Sequence, residues 1–216
     1  MNCTGFVGGS FRAKEESRGR RRLVHRKSKR TCPLNLDVRP LTPDLWPALE
    51  NLFGPRGACN GCWCMYWRMG AEYRKRDRHE NKKAFRAIVK AGPPPGLIAF
   101  EGDLPVGWCQ ITPRDAVPHL EKIRSLRRVD ELPVWSISCF YIRIGYRKRG
   151  VTTALIDSAV EAARAAGAPA IEAYPLDAAL TPSSSWTGFV SNFLRAGFQE
   201  VARYEPPRPI LRKMLG

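Results

Sequence analysis

The feature that most constrains this chain is a strand followed by a basic, glycine-containing turn and then a helix. Residues 134–142, VWSISCFYI, are rich in β-branched and aromatic residues, which predicts a strand. Residues 152–166 carry apolar side chains at helical spacing and are followed by Gly167, which predicts a helix and its end. Residues 147–153, RKRGVTT, connect the two elements. This arrangement is typical of an α/β domain.

The connecting turn has the properties of an anion-binding site. The first amide groups of a helix lack partners within the helix, and the helix dipole adds partial positive charge there. Gly150 lets the backbone approach an anion closely. Basic and hydroxyl side chains flank it, at Arg147, Arg149, Thr152 and Thr153. The turn matches neither the phosphate-loop motif nor the dinucleotide-binding glycine motif, so a basic loop capped by Thr152 remains an alternative interpretation.

The remaining pattern predicts a mixed α/β sheet in the order β-α-α-β-β-β-α-β-α-β-β. The other predicted strands cover residues 36–39, 97–101, 106–111, 170–174, 198–204 and 210–214. The other predicted helices are one that begins after Thr42, one whose apolar stripe includes Phe85 and Val89, and one over 186–196. The polar connection over 113–133 is compatible with an additional helix over 119–127, which this order does not include. Residues 36–216 are therefore predicted to form one domain.

The net charge of +16 is unevenly distributed. Residues 1–35 contain ten basic and two acidic residues, so this segment alone carries a net charge of +8. We expect it to be a basic, disordered extension because it has few apolar residues to bury. Two other interpretations are an arm that contacts nucleic-acid phosphates and an Arg-rich organelle-targeting peptide.

Cysteine usage and hydropathy predict a cytoplasmic protein. The chain has seven cysteines, an odd number, and no apolar secretory signal at its amino terminus, which favours free thiols in a reducing compartment. No apolar run reaches the ~18 residues that cross a bilayer, so no membrane partner is expected. Cys59, Cys62 and Cys64 could bind a metal with His79 or Cys109, but a second C-x-x-C is absent and we predict no metal.

The run from Arg147 to Thr152 resembles the [Q/R]-x-x-G-x-[G/A] motif of the GNAT superfamily of acetyl-CoA-dependent N-acetyltransferases, with Thr152 where glycine or alanine is usual. Tyr146, residues 154–156 and the closing residues 195–198 also look like this family. The resemblance covers roughly residues 36–214. It implies a mixed, mostly antiparallel sheet flanked by helices, with acetyl-CoA as acyl donor.

The resemblance also implies where acetyl-CoA binds. The turn amides would hold the pyrophosphate, the strand end at residues 140–142 would contact the pantetheine arm, and residues 170–174 would form the opposite wall of a gap in the sheet. The residues predicted to bind acetyl-CoA are Phe140, Tyr141, Ile142, Arg147, Lys148, Arg149, Gly150, Val151, Thr152 and Thr153.

The sequence departs from the family at both of its usual catalytic positions. Phe193 stands where many members have a tyrosine acid, and Cys139 stands where one branch has a glutamate base. Tyr174 is the predicted catalytic acid by placement, with Glu172 next to it and a packing role as the alternative. A thiol of pKa ~8.5 is a tolerable leaving group, so direct attack by a deprotonated amine needs no covalent enzyme intermediate.

An aromatic segment precedes the second predicted helix and falls on the acceptor side in the family's layout. The residues predicted to line the acceptor pocket are Cys62, Trp63, Tyr66, Trp67 and Arg68. An aromatic core helix is the alternative interpretation.

Together these features predict an enzyme that transfers an acetyl group from acetyl-CoA to a primary amine of a small molecule, peptide or protein. The alternative is a non-catalytic module that binds acyl-CoA, or that binds nucleic acid through its basic extension. A nucleic-acid partner is not favoured, because a charge run alone is weak evidence.

Overall fold

The computed structural model of the chain describes residues 34–177 and 186–216. The strands are β1 (Leu36–Pro40), β2 (Gly96–Glu101), β3 (Leu104–Pro113), β4 (Val134–Ile142), β5 (Ala170–Ala173), β6 (Gln199–Glu205) and β7 (Arg208–Met214). The helices are α1 (Trp46–Phe53), α2 (Tyr66–Met69), α3 (Arg78–Ala91), α4 (Val151–Ala165) and α5 (Val190–Arg195). The predicted basic extension lies almost wholly outside the described residues.

The strands form one seven-stranded sheet in the order β1-β2-β3-β4-β5-β7-β6. Every neighbouring pair is antiparallel except β4 and β5, which are parallel. A parallel neighbour requires a crossover connection, and α4 supplies it. The prediction of a mixed, mostly antiparallel sheet flanked by helices is confirmed, and the element order gains only the four-residue α2.

The sheet has an apolar layer on each face. On one face α4 packs through Leu155, Ala159 and Ala163 against β-strand residues such as Ile111 and Ile171. On the other, α1 and α3 pack an aromatic cluster around Trp46, Trp63, Phe85 and Trp108. No helix within the two described ranges is long and apolar enough to span a membrane.

The prediction of a helix over 119–127 is wrong. Short 3-10 turns occupy Arg114–Ala116, Pro118–Lys122 and Arg124–Leu126. The Arg114 side chain replaces helical hydrogen bonds, because its Nη2 donates to the Leu126 carbonyl at 2.5 Å and its Nε donates to Glu121 at 2.6 Å.

Two smaller predictions also change. The last helix is limited to Val190–Arg195. The Thr42 side chain makes no cap hydrogen bond; its backbone carbonyl instead accepts the Leu45 amide at 3.0 Å. A side-chain cap is found at the start of α3, where Asp77 accepts the His79 amide.

Candidate active site

The sheet opens between β4 and β5. The two strands pair from Val134↔Ala170 to Ile137↔Ala173, and β4 then continues without this partner to Ile142. The strands therefore separate within the last five residues of β4. Beyond β5 the chain forms an isolated parallel bridge between Leu176 and Phe189, neither of which belongs to β4. The geometry leaves room for a ligand along the free end of β4.

The turn from β4 to α4 presents backbone amides to solvent. Lys148 and Gly150 both have positive φ, 61° and 85°, and Gly150 is the N-cap of α4 in the left-handed conformation. No side chain caps this helix, so its first amides are free of intrahelical and side-chain partners. Successive amides in such a turn form a concave site for anions, and the helix dipole strengthens it.

A cavity of about 400 Å³ extends from this turn along β4. Among its lining residues are Phe140, Tyr141, Ile142, Arg147, Lys148, Gly150, Val151, Thr152 and Thr153, that is, all but one of the predicted acetyl-CoA residues. The sequence did not indicate the opposite wall, which consists of Trp186, Gly188, Phe189, Asn192 and Arg195. The predicted wall at residues 170–174 does not line this cavity.

The Arg149 side chain does not line the cavity. Its guanidinium lies over the Tyr146 ring at 5.0 Å and 3.9 Å from the Glu101 carboxylate. Tyr146 in turn donates to Glu101 at 2.6 Å. The prediction that Arg149 binds the ligand therefore concerns its backbone only. Among the described residues, the basic residues that line the cavity are Arg147, Lys148 and Arg195.

A second cavity of about 230 Å³ lies on the side of α2. It shares Cys59, Phe140, Tyr141 and Trp186 with the first cavity, so the two meet beside the free end of β4. Cys62, Tyr66 and Trp67 line it, as predicted for an acceptor pocket. The sequence did not indicate its other lining residues, which include Cys64, Tyr73, Arg74, Gln110 and Cys139.

Two predicted acceptor residues lie elsewhere. Trp63 is 2% exposed and stacks on Trp46 in the aromatic core, with ring centroids 5.8 Å apart. The Arg68 side chain donates to the Ala116 carbonyl at 2.9 Å. Positive φ angles at Trp63 and Cys64 make the residues just before α2 an irregular loop, so helical spacing does not extend from α2 back to Trp63.

The loop gathers cysteines at the second cavity. Burial raises the pKa of Cys62 to about 12, and contact with Cys64, together with burial, raises the pKa of Cys139. Both thiols are therefore neutral near pH 7 and are poor nucleophiles. In the part of the chain that the structure describes, no group of three or more His, Cys, Asp or Glu side chains could hold a metal ion.

Tyr174 lies outside both cavities. It is fully buried, and its hydroxyl contacts Arg114 Nη1 at 2.8 Å, Ser136 Oγ at 2.8 Å and Glu172 Oε2 at 3.0 Å. Burial raises its pKa. Glu172 is equally buried and also binds Arg212 at 2.7 Å. These contacts favour a role in holding β4, β5 and β7 together and argue against the predicted role of Tyr174 as an acid.

Comparison with known proteins assigns the domain. Residues 62–181 match the model of the acetyltransferase (GNAT) family. The chain belongs to the GNAT acetyltransferase family. No curated protein is similar enough in sequence to match it.

Solved structures agree with this GNAT assignment at the level of the fold. An N-acetyltransferase from Staphylococcus aureus Mu50 is 12% identical with a TM-score of 0.52, over 84% of this chain and 99% of that chain. The structure of yncA from Salmonella typhimurium, solved with its cofactor acetyl-CoA, is 13% identical with a TM-score of 0.50, over 84% of this chain and 94% of that chain. At this identity the likeness shows the fold alone.

Family membership confirms the predicted GNAT resemblance and the general activity, acetyl transfer with acetyl-CoA as the donor. In this acetyltransferase Phe193 is fully buried and packs against Phe140 and Phe198, so it contributes to the core beside the first cavity. Cys139 lines the second cavity. Among the residues that sequence reasoning missed, Gln110 had a visible signal: it is the one side-chain amide in the otherwise apolar run VGWCQI.

Proposed function

We propose that the chain acetylates a primary amine that binds in the second cavity, using acetyl-CoA bound in the first. The observation that carries the proposal is the junction of the two cavities at Phe140 and Tyr141, where β4 loses its partner strand. A donor on one side and an acceptor on the other would meet at this point. The structure with acetyl-CoA of the Salmonella relative supports a donor of this kind.

In this proposal the helix start holds the diphosphate of the donor. The amides of residues 151–153 would donate to phosphate oxygens, and Arg147 and Lys148 would supply charge. The Phe140 amide already donates to the Trp186 carbonyl at 2.6 Å. A pantetheine arm along β4 therefore has to displace this bond or pass beyond it toward Ile142.

The proposed chemistry is direct transfer. The amine nitrogen attacks the thioester carbonyl as its lone pair becomes free, the C–N bond forms, the C–S bond breaks, and CoA leaves as a thiolate. The proton lost by nitrogen passes to solvent or to the thiolate. In the part of the chain that the structure describes, no carboxylate lines either cavity. We therefore assign catalysis to positioning of the two substrates, which can supply a large part of the rate enhancement.

Calorimetric titration with acetyl-CoA tests the donor site. Arg147→Glu places a negative charge in the first cavity and is expected to raise Kd roughly tenfold or more, since a charge-assisted phosphate contact is lost. The matched control is Lys83→Glu, the same charge change on an exposed position of α3, and it should leave Kd unchanged. Equal effects of the two variants, or no binding by the parent protein, would contradict the proposed donor site.

Turnover separates an enzyme from a binding module. Release of the CoA thiol is followed over a panel of primary amines, with acetyl-CoA hydrolysis as the background. Binding of acetyl-CoA without amine-dependent release of CoA would favour the non-catalytic alternative.

We further propose a cytoplasmic location and a catalytic domain at residues 36–216 that does not need residues 1–35. Deletion of residues 1–35 is expected to leave the Kd for acetyl-CoA and the turnover unchanged.

A further inference from the structure

The second cavity contains a buried amide without a partner. Gln110 of β3 is 0% exposed and lines this cavity. Within the described residues neither its Oε1 nor its Nε2 has a hydrogen-bond partner. In the strand register Gln110 lies opposite Cys139 of β4, one residue before the junction of the two cavities. It therefore stands next to the proposed site of acetyl transfer.

An unpaired buried amide is costly to the folded protein, because its donor and its acceptor both lose water without replacement. A ligand group that both accepts and donates a hydrogen bond would remove this cost. No described side chain of the cavity does so, the hydroxyls of Tyr66, Tyr73 and Tyr141 included, because neither polar atom of Gln110 has a hydrogen-bond partner among the described residues. Gln110 therefore has an unused donor and an unused acceptor in the lining of the cavity that a substrate would fill.

The other lining residues indicate the rest of the ligand. Tyr66, Trp67, Tyr73 and Trp186 provide aromatic walls, which favour a flat or branched apolar body. Among residues 34–177 and 186–216, no Asp or Glu lines the cavity, and the one charged lining residue is the exposed Arg74. An alkylammonium ion would find no counter-ion there, so an amine that is largely uncharged near neutral pH is favoured.

We propose that Gln110 determines acceptor specificity, and that the acceptor is a small amine with an aromatic body and a neutral carboxamide-like group that pairs with the Gln110 amide. This inference rests on the proposed function, since it assigns the second cavity to the acceptor. A carboxamide pairs with Gln110 through two hydrogen bonds, one in each direction. An ester of the same shape offers no N–H donor and leaves Gln110 Oε1 unpaired.

The test compares phenylalaninamide with phenylalanine methyl ester, two acceptors with the same aromatic body and amine position. The parent protein should show kcat/KM for the amide roughly ten- to hundredfold above that for the ester, the range expected for one buried unpaired acceptor. Gln110→Met keeps the volume and removes the amide, so the ratio should fall to within about threefold.

The matched control is Thr112→Val. Thr112 lies on the same strand, is 4% exposed and also has an unpaired side-chain oxygen, but it does not line the second cavity. This variant should keep the parent's preference for the amide. If Gln110→Met keeps the preference as well, or if the parent shows none, the inference is overturned.

Binding measurements separate this inference from the proposed function. Protein saturated with CoA is titrated with phenylalaninamide, and Gln110→Met should weaken Kd roughly tenfold or more while Thr112→Val does not. Gln110-dependent binding without turnover would support the inference and contradict the proposed enzyme. Turnover of other amines without Gln110-dependent binding of phenylalaninamide would support the enzyme and overturn the inference. If phenylalaninamide does not bind to the parent protein, the inference is overturned whether or not other amines are acetylated.

Discussion

The Tyr174→Phe substitution tests whether the buried tyrosine network is structural or catalytic. The hydroxyl of Tyr174 contacts Arg114, Ser136 and Glu172. After its removal Arg114 Nη1 still binds Glu172 at 3.1 Å, whereas the fully buried Ser136 hydroxyl loses this partner. One unsatisfied buried hydroxyl costs about 1–3 kcal/mol.

The expected result is a loss of stability with unchanged chemistry. A domain of this size loses about 2–4 °C in Tm per kcal/mol, so a loss of about 2 kcal/mol corresponds to roughly 4–8 °C. Thermal unfolding followed by circular dichroism measures the shift, and kcat for a responsive amine should stay within about twofold of the parent, since no reacting group is lost.

Tyr204→Phe is the matched control for this experiment. Its hydroxyl is partly buried and makes one longer hydrogen bond, 3.3 Å to the Arg128 carbonyl, so the loss should be about 1 kcal/mol or less. A drop in kcat of about a hundredfold or more for Tyr174→Phe, the size expected for loss of a general acid, with Tm unchanged would refute the structural role.

Two further predictions concern packing and pH. A Cβ on Gly107 would lie 2.5 Å from Val151 Cγ1 and 3.0 Å from Leu155 Cδ1, so Gly107→Ala should cost about 1–3 kcal/mol and raise the Kd for acetyl-CoA by shifting the start of α4. The Gly107→Ala, Val151→Ala double variant should recover part of the affinity, and no recovery would show that the contact with Val151 is not the cause. Burial, with a smaller effect of Lys122, lowers the pKa of His119 in the folded protein. The unfolded chain therefore takes up this proton first, and the free energy of unfolding should decline as pH falls below ~6.5. His119→Phe should reduce that decline in urea titrations between pH 7.5 and 5, and an unchanged slope would contradict the assignment to His119.

The β4–turn–α4 unit was predictable because its signals are local. A run of β-formers, a glycine that tolerates positive φ and an amphipathic helix each depend on neighbours in sequence. The family resemblance predicted a ligand site at the turn from the same local residues. The boundaries of β4 agree with the prediction, and those of α4 differ by one residue at each end.

The acceptor side was less predictable because its geometry depends on distant partners. Trp63 stacks on Trp46 in the core. Arg68 donates a hydrogen bond to the carbonyl of Ala116, which is 48 residues away in sequence. In the segment where a helix was expected, Arg114 binds a carbonyl twelve residues ahead. Tyr174 was predicted to end its strand but lies one residue beyond β5. Two of its partners, Arg114 and Ser136, are distant in sequence, which spacing along the chain does not reveal.

The contacts of Arg149, Tyr146 and Glu101 have a consequence for how binding free energy is distributed. These side chains link the turn to the end of the β2–β3 hairpin, so the loop is ordered before any ligand arrives. The conformational entropy of this turn is therefore lost when the protein folds and not when the ligand binds. A motif arginine can therefore contribute to affinity without touching the ligand, by fixing the shape of the backbone that does.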